Sequence, residues 1–205
     1  MGGTSGMGIA ERLFGRGDPG DQEDPDADAA VSRKAISLAQ RGQFDEAIAC
    51  FDRVLALDPA NAKMLNNKGV FLDLLGRDQE ALACWEKALS IDPEFAPAWV
   101  SRGRLYRRRN RLDEALACYD RAVELNPNSA VAWYNRSSVF AAMRRLDEAV
   151  TCYERVLALD PHFVWKTSAN NAGFGVDFNP QVSFIFATAA AKYFVTQVGD
   201  TELAR

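Results

Sequence analysis

This chain has almost none of the residues from which reactive centres are usually assembled. A single histidine, His162, serves all 205 residues. That leaves no histidine pair for a metal and no ready base for a nucleophilic serine or cysteine. There is no CxxC pair, and the glycine-rich pieces GGTSG and NNAGFG fit neither a phosphate loop nor a dinucleotide fingerprint. No run of about 18 uncharged apolar residues is present, so a membrane-spanning helix is not expected. The N-terminus lacks the basic start, apolar core and small-residue cleavage site of a secretory signal. Gly6 stands where a myristoylation signal requires Ser or Thr. The expectation is a cytoplasmic protein with no enzyme activity, no metal and no cofactor.

A surplus of positive charge is also missing. Residues 1–27 carry six acids and two bases, residues 28–163 nineteen of each, and residues 164–205 three of each. The net charge of −4 therefore resides in the N-terminal stretch. A nucleic-acid binder usually presents a strongly basic domain, so no nucleic-acid partner is expected. The 48% hydrophobic and 25% charged content suits a soluble globular protein with a sizeable core.

What the chain does have is a period. Pro59, Pro93, Pro127 and Pro161 recur every 34 residues, each closing a similar phrase: RVLALDP, KALSIDP, RAVELNP and RVLALDP. Ala47, Ala81, Ala115 and Ala149 share one register, and Phe51, Trp85, Tyr119 and Tyr153 follow four residues later. Each unit divides into two helical stretches. The second begins near FDEA, DQEA or LDEA, where Asp45, Asp113 and Asp147 are expected to cap the helix by accepting backbone N–H bonds. Glu46, Glu80, Glu114 and Glu148 then fall in the first turn, where the helix dipole favours negative charge. Gly42, Gly76, Asn110 and Arg144 occupy the turn between the two helices, and each proline ends its unit.

Residues 28–163 resemble four tetratricopeptide repeats, placed at 28–61, 62–95, 96–129 and 130–163. The third copy carries the pattern best, with Trp99, Gly103, Tyr106, Ala115, Tyr119 and Pro127. In the first copy Val31 and Ala35 replace the large aromatic and the glycine, and Ser137 replaces the glycine of the fourth. The resemblance implies an all-α, right-handed superhelical solenoid, because one hairpin cannot bury its apolar face without a neighbour. The small alanine lets the helices of a pair approach. The aromatic, on the same helix face, is expected to fill the space beside the next unit.

The same resemblance implies a protein-binding adaptor or scaffold, whose concave surface is lined by the first helix of each repeat and receives a peptide or helix of a partner. The groove residues it points to are Arg33, Lys63, Asn66, Asn67, Arg104, Arg107, Arg108, Tyr134 and Asn135. Six arginines crowd positions 102–111, which makes an acidic segment or a C-terminal carboxylate a candidate ligand. A solvated face paired with neighbouring acids is the plainer alternative. The carboxylate clamp known in this family asks for Lys and Asn, then Asn, then Lys and Arg. Here the matching positions hold Ser32, Ile36, Asn67, Pro97 and Ser101, and shifting the frame by one repeat gives Asn66, Val70, Ser101, Val131 and Asn135. Neither frame fits, so binding of chaperone tails by that clamp is not expected. Cys50, Cys84, Cys118 and Cys152 also recur every 34 residues. In stacked hairpins they would lie roughly 16–20 Å apart, too far for disulfides, so packing is their expected role.

Both ends depart from the period. Residues 1–27 form an acidic stretch expected to be disordered. It is either a solubilising tail or a ligand for the basic strip of its own or a neighbouring molecule. Ile9, Leu13 and Phe14 fall on one side of a short helix within it. After Phe163 comes a loop, then a helix over 180–198, started by Asn179-Pro180 and closed by Gly199. A strand at VSFIF is the alternative. The helix would be apolar all round, with Phe184, Phe186, Tyr193 and Phe194 as its interaction residues. It would cap the last repeat, join a partner or a second copy into an assembly, or, least expected, lie on a membrane. The second functional reading is accordingly a structural subunit that self-assembles through this segment.

Overall fold

The computed structural model describes residues 27–163. The expected acidic stretch and the C-terminal loop and helix, including Phe184, Phe186, Tyr193 and Phe194, lie outside the described residues. Those residues form eight helices and no strand: α1 (Ala27–Gln40), α2 (Phe44–Leu57), α3 (Ala62–Leu74), α4 (Asp78–Ile91), α5 (Ala96–Arg108), α6 (Leu112–Leu125), α7 (Ala130–Ala142) and α8 (Leu146–Leu159). The chain divides into two compact units, one ending at Pro93 and the other beginning at Glu94. In the first, α1 packs on α2, α2 on α3 and α3 on α4; in the second, α5 packs on α6, α6 on α7, α7 on α8, and α5 also touches α7. This is the all-α repeat architecture expected from the period.

The turn inside each pair is built the same way four times. Gly42, Gly76, Asn110 and Arg144 all adopt positive φ, at 77°, 73°, 57° and 62°. Just beyond each one the backbone N–H closes back on the preceding helix, as Gln43 N–H does on the Leu38 carbonyl and Arg145 N–H on the Phe140 carbonyl. Glycine takes this conformation freely and asparagine tolerates it, whereas arginine bears a steric cost of roughly 1–2 kcal/mol. Glycine also raises the entropy of the unfolded chain, which offsets part of the relief. Arg144→Gly should therefore stabilise the protein by about 0.5–1 kcal/mol, seen as a higher urea midpoint at unchanged slope.

The second helices do not start as expected. Gln43, Arg77, Arg111 and Arg145 are the N-cap residues, and no side chain caps those starts. Asp45, Asp113 and Asp147 instead lie inside the first turn. A clasp across that turn takes the place of a cap: Arg77 donates to Glu80 at 2.7 Å, Arg111 to Glu114 at 2.6 Å, Arg145 to Glu148 at 2.9 Å, and Gln43 to Glu46 at 2.7 Å. The arginines hold Glu80, Glu114 and Glu148 below the usual carboxylate range, chiefly through these hydrogen bonds. Two first helices do carry side-chain caps, from Asn61 to Met64 N–H and from Ser129 to Ala132 N–H. Across the proline of three pairs, an Asx turn redirects the chain: Asp58, Asn126 and Asp160 each accept the backbone N–H two residues on.

The core follows the register. Ala47, Ala81, Ala115 and Ala149 are fully buried, and so are Phe51, Trp85 and Tyr119, with Tyr153 nearly so. The aromatics face two ways. Phe51 reaches the next pair and meets Phe71 edge-on, 5.0 Å between ring centroids. Trp85 and Tyr119 turn back onto the first helix of their own pair, over Gly69 and Gly103. A Cβ on Gly69 would sit 2.5 Å from the indole nitrogen, and one on Gly103 would sit 2.8 Å from the Tyr119 ring. Trp85 also donates its indole N–H to the Asn66 carbonyl at 3.3 Å. In the fourth pair Ser137 replaces that glycine, and its hydroxyl donates to the Ala149 carbonyl at 2.9 Å. All four cysteines are free; Cys50, Cys118 and Cys152 are buried and Cys84 is half-buried.

Candidate interaction face

One register of the first helices decides the surface they present. Positions 36, 70, 104 and 138 hold Ile36, Val70, Arg104 and Ser138, and four residues on stand Gln40, Leu74, Arg108 and Ala142. Residues four apart share a helix face. In the first unit this register is apolar except at Gln40: Ile36 is 49% exposed and Leu74 60%. In the second unit α5 presents arginines there, with Arg104 half-buried and Arg108 exposed. Ile36, Val70 and Leu74 join the surface residues expected from sequence. The sequence signal for them is the 34-residue register they share with Arg104 and Arg108.

In the first unit the residues predicted for binding form a hydrogen-bonded chain. Asn67 donates to the Ser32 hydroxyl at 3.0 Å, and Ser32 donates to the Asp28 carbonyl oxygen at 2.8 Å. The Asp28 carboxylate accepts from Asn61 at 3.3 Å and lies 3.9 Å from the Lys63 ammonium. Arg33 and Lys63 are exposed, and Asn67 is half-buried. Asn66 is buried, donates toward Asn67 at 3.5 Å, and its side-chain oxygen has no hydrogen-bond partner among the described residues.

In the second unit two of the predicted residues are withdrawn from the surface. Tyr134 is 3% exposed, with its ring 5.8 Å from that of Tyr153 and 5.7 Å from that of Phe163. Asn135 is 4% exposed and donates back to the Val131 carbonyl at 2.9 Å. The physical reason is size and reach. A tyrosine at that register covers α8 and the end of the pair, and the Asn135 amide finds its acceptor on the preceding turn of its own helix.

The arginines of α5 divide by environment. Arg102 lies over the Trp99 ring at 4.9 Å and the Tyr106 ring at 5.6 Å, and Arg111 over Tyr106 at 4.6 Å. Arg136, one period after Arg102, repeats the stack on Trp133 and Phe140. It also donates to Asp120 at 2.6 Å and to the Cys152 sulfur at 3.3 Å. Burial nonetheless pushes the Cys84, Cys118 and Cys152 thiols above their ordinary range. Arg102, Arg111 and Arg136 thus belong to the scaffold. Arg104 and Arg107 lie on a different side, close to the hydroxyl of fully buried Tyr119. That hydroxyl has no partner in hydrogen-bond geometry among the described residues.

Helix pairs of this length, the left-handed residue in each turn, and the glycine under Trp85 and Tyr119 together point to a repeat family. Residues 32–97 and 100–162 match the tetratricopeptide repeat family. The chain belongs to it. No curated protein is detectably similar to this tetratricopeptide repeat chain. Solved chains of similar fold number 274, a breadth that identifies the fold and leaves the partner open. MamA is 22% identical with a TM-score of 0.57, over 80% of this chain and 96% of that one. PilF of Pseudomonas aeruginosa is 20% identical with a TM-score of 0.62, over 80% of this chain and 68% of that one. The first tetratricopeptide domain of Spaghetti (RPAP3), solved with the HSP90 peptide SRMEEVD, is 25% identical with a TM-score of 0.50, over 64% of this chain and 91% of that one. The fold is thus that of a protein-binding scaffold. No helix among the described residues is long and apolar enough to cross a membrane.

Proposed function

We propose that this protein is an adaptor whose two units each receive a segment of another protein on the exposed faces of their first helices, and that the segment met by α5 is acidic. The observation that carries this reading is Arg104, Arg107 and Arg108 on one face of a helix that contains no acid. Guanidinium groups bind carboxylates through paired, charge-assisted hydrogen bonds. Ile36, Val70 and Leu74 of the first unit offer apolar contact to the same kind of partner, beside Arg33, Lys63 and Asn67. The likeness to a domain solved with the peptide SRMEEVD supports an acidic ligand. The mode differs, because Ser32, Ile36, Pro97 and Ser101 stand where a carboxylate clamp needs its Lys, Asn and Arg. Asn66, Tyr134 and Asn135 enter this reading only as supports beneath the surface.

Arg104→Glu with Arg108→Glu tests it. The double variant should keep its helical circular dichroism and lose at least about tenfold in affinity for acidic peptides, with a flatter dependence on salt. Unchanged affinity would reduce the arginine face to solvated surface. Self-assembly through residues 164–205 is the second reading, carried by their apolar composition. A full chain that is monomeric in solution, and remains so when cut after Phe163, would remove it.

A further inference from the structure

The two most exposed large apolar side chains among the described residues, Leu74 at 60% and Ile36 at 49%, belong to one strip of the first unit. Two contacts set the register of its helices. The Asp28 carboxylate accepts from Asn61 at 3.3 Å where α1 and α3 begin, and Asn67 donates to the Ser32 hydroxyl at 3.0 Å further along both. Helices α1 and α3 therefore run side by side in the same direction. Continued by one turn, this register sets Ile36 beside Val70, with Leu74 a turn beyond. The same unit contains a segment of matching chemistry. All the large apolar side chains of residues 1–26 fall before residue 15, and Ile9, Leu13 and Phe14 share one side at helical spacing. Residues 15–26 then hold three glycines, two prolines and five acids, and lead into α1 at Ala27.

We propose that residues 9–14 occupy the Ile36–Val70–Leu74 strip of their own chain, as an internal occupant that an outside apolar segment displaces. The inference rests on the reading that this face receives a segment, and names one within the chain. Length carries it. Ile36 lies about 14 Å along α1 from Ala27, and the level of Leu74 about 20 Å, at about 1.5 Å of rise per residue. As a coil, residues 15–26 have a root-mean-square span of about 17–21 Å. A tether whose span matches the distance holds its ligand at the highest effective concentration, in about the millimolar range. Six residues form no stable helix by themselves, so they bind by virtue of the tether and yield to a tighter competitor.

The test uses full-length chains and a fluorescein-labelled peptide of residues 7–16 as probe, read by anisotropy. Leu13→Ser with Phe14→Ser in the chain empties the strip and leaves the repeats untouched. That variant should bind the probe about five- to tenfold more tightly than the wild type. Adding Ile36→Gln and Leu74→Gln, both at exposed helical positions, should erase the gain while helical circular dichroism is retained. Equal probe affinity for the wild type and the serine variant overturns the proposal, and the face keeps its receiving role if the glutamine substitutions still weaken binding. A difference that vanishes on dilution of the protein gives the occupant to a second copy and overturns the same-chain assignment. If no form binds the probe the proposal falls, while the acidic reading of α5 stands or falls on the Arg104→Glu and Arg108→Glu variant.

Discussion

Trp85→Ala is expected to destabilise the first unit by about 3–5 kcal/mol, the range for removing a fully buried large aromatic. Trp85 is 0% exposed, packs over Gly69 and donates its N–H to the Asn66 carbonyl. Its loss opens a cavity between α3 and α4 that two helices tied by short turns cannot readily close. A loss of that size approaches the whole stability of an ordinary domain. The helical signal assigned to α1–α4 should therefore melt well below the midpoint of the remainder. Trp85→Phe keeps most of the volume and should cost much less, losing mainly the indole N–H bond to the Asn66 carbonyl. Urea unfolding followed by circular dichroism checks both, and a loss below about 1.5 kcal/mol for the alanine variant would mean that the indole is not the keystone of this pair.

Gly69→Ala should be the next most damaging small change. A mid-helix alanine gains about 1 kcal/mol over glycine from propensity alone. The added methyl, however, would lie 2.5 Å from an indole that has no room to retreat. Overpacking of this kind costs about 1–3 kcal/mol, so the net effect should be a loss of up to about 2 kcal/mol. The sign should reverse when Trp85 is first changed to Leu, because the clash disappears and the propensity gain remains. Gly76→Ala provides the contrast. Nothing lies within 4 Å of a Cβ there, and its φ of 73° alone makes the alanine costly. That cost should be indifferent to residue 85. Additive behaviour of Gly69→Ala with Trp85→Leu would rule out the contact as the cause.

The parts of the structure that repeat were the parts legible in the sequence. A proline, an alanine and an aromatic returning every 34 residues predict the helix pairs, and Gly42, Gly76, Asn110 and Arg144 mark the turns between them; that all four take the left-handed conformation, Arg144 included, comes from the structure alone. The helix starts were misplaced by two residues. Aspartate is the stronger N-cap by preference, yet here the cap residue reaches over the first turn to a glutamate, and neither Arg77 nor Arg145 announces that pairing by itself. Tyr134 was misread for a related reason. Its register lies on the border between surface and core, and the large ring goes to whichever side offers Tyr153 and Phe163. Asn135 turned inward because its own helix supplied an acceptor. The apolar positions Ile36, Val70 and Leu74 are not distinguishable in the sequence from core residues, because exposure of hydrocarbon depends on which helix face the packing leaves open. Residues 164–205 break the period, and without a period neither a cap nor an assembly element can be chosen.

The cysteines, one in the same place on every second helix, give this chain four clocks. Three are sealed, and Cys84 alone has partial access to solvent. A thiol reagent should therefore mark Cys84 first and reach Cys50, Cys118 and Cys152 only as fast as each helix pair breathes open. The order of labelling would show which hairpin loosens first, and whether an occupied binding face slows one unit's opening or both.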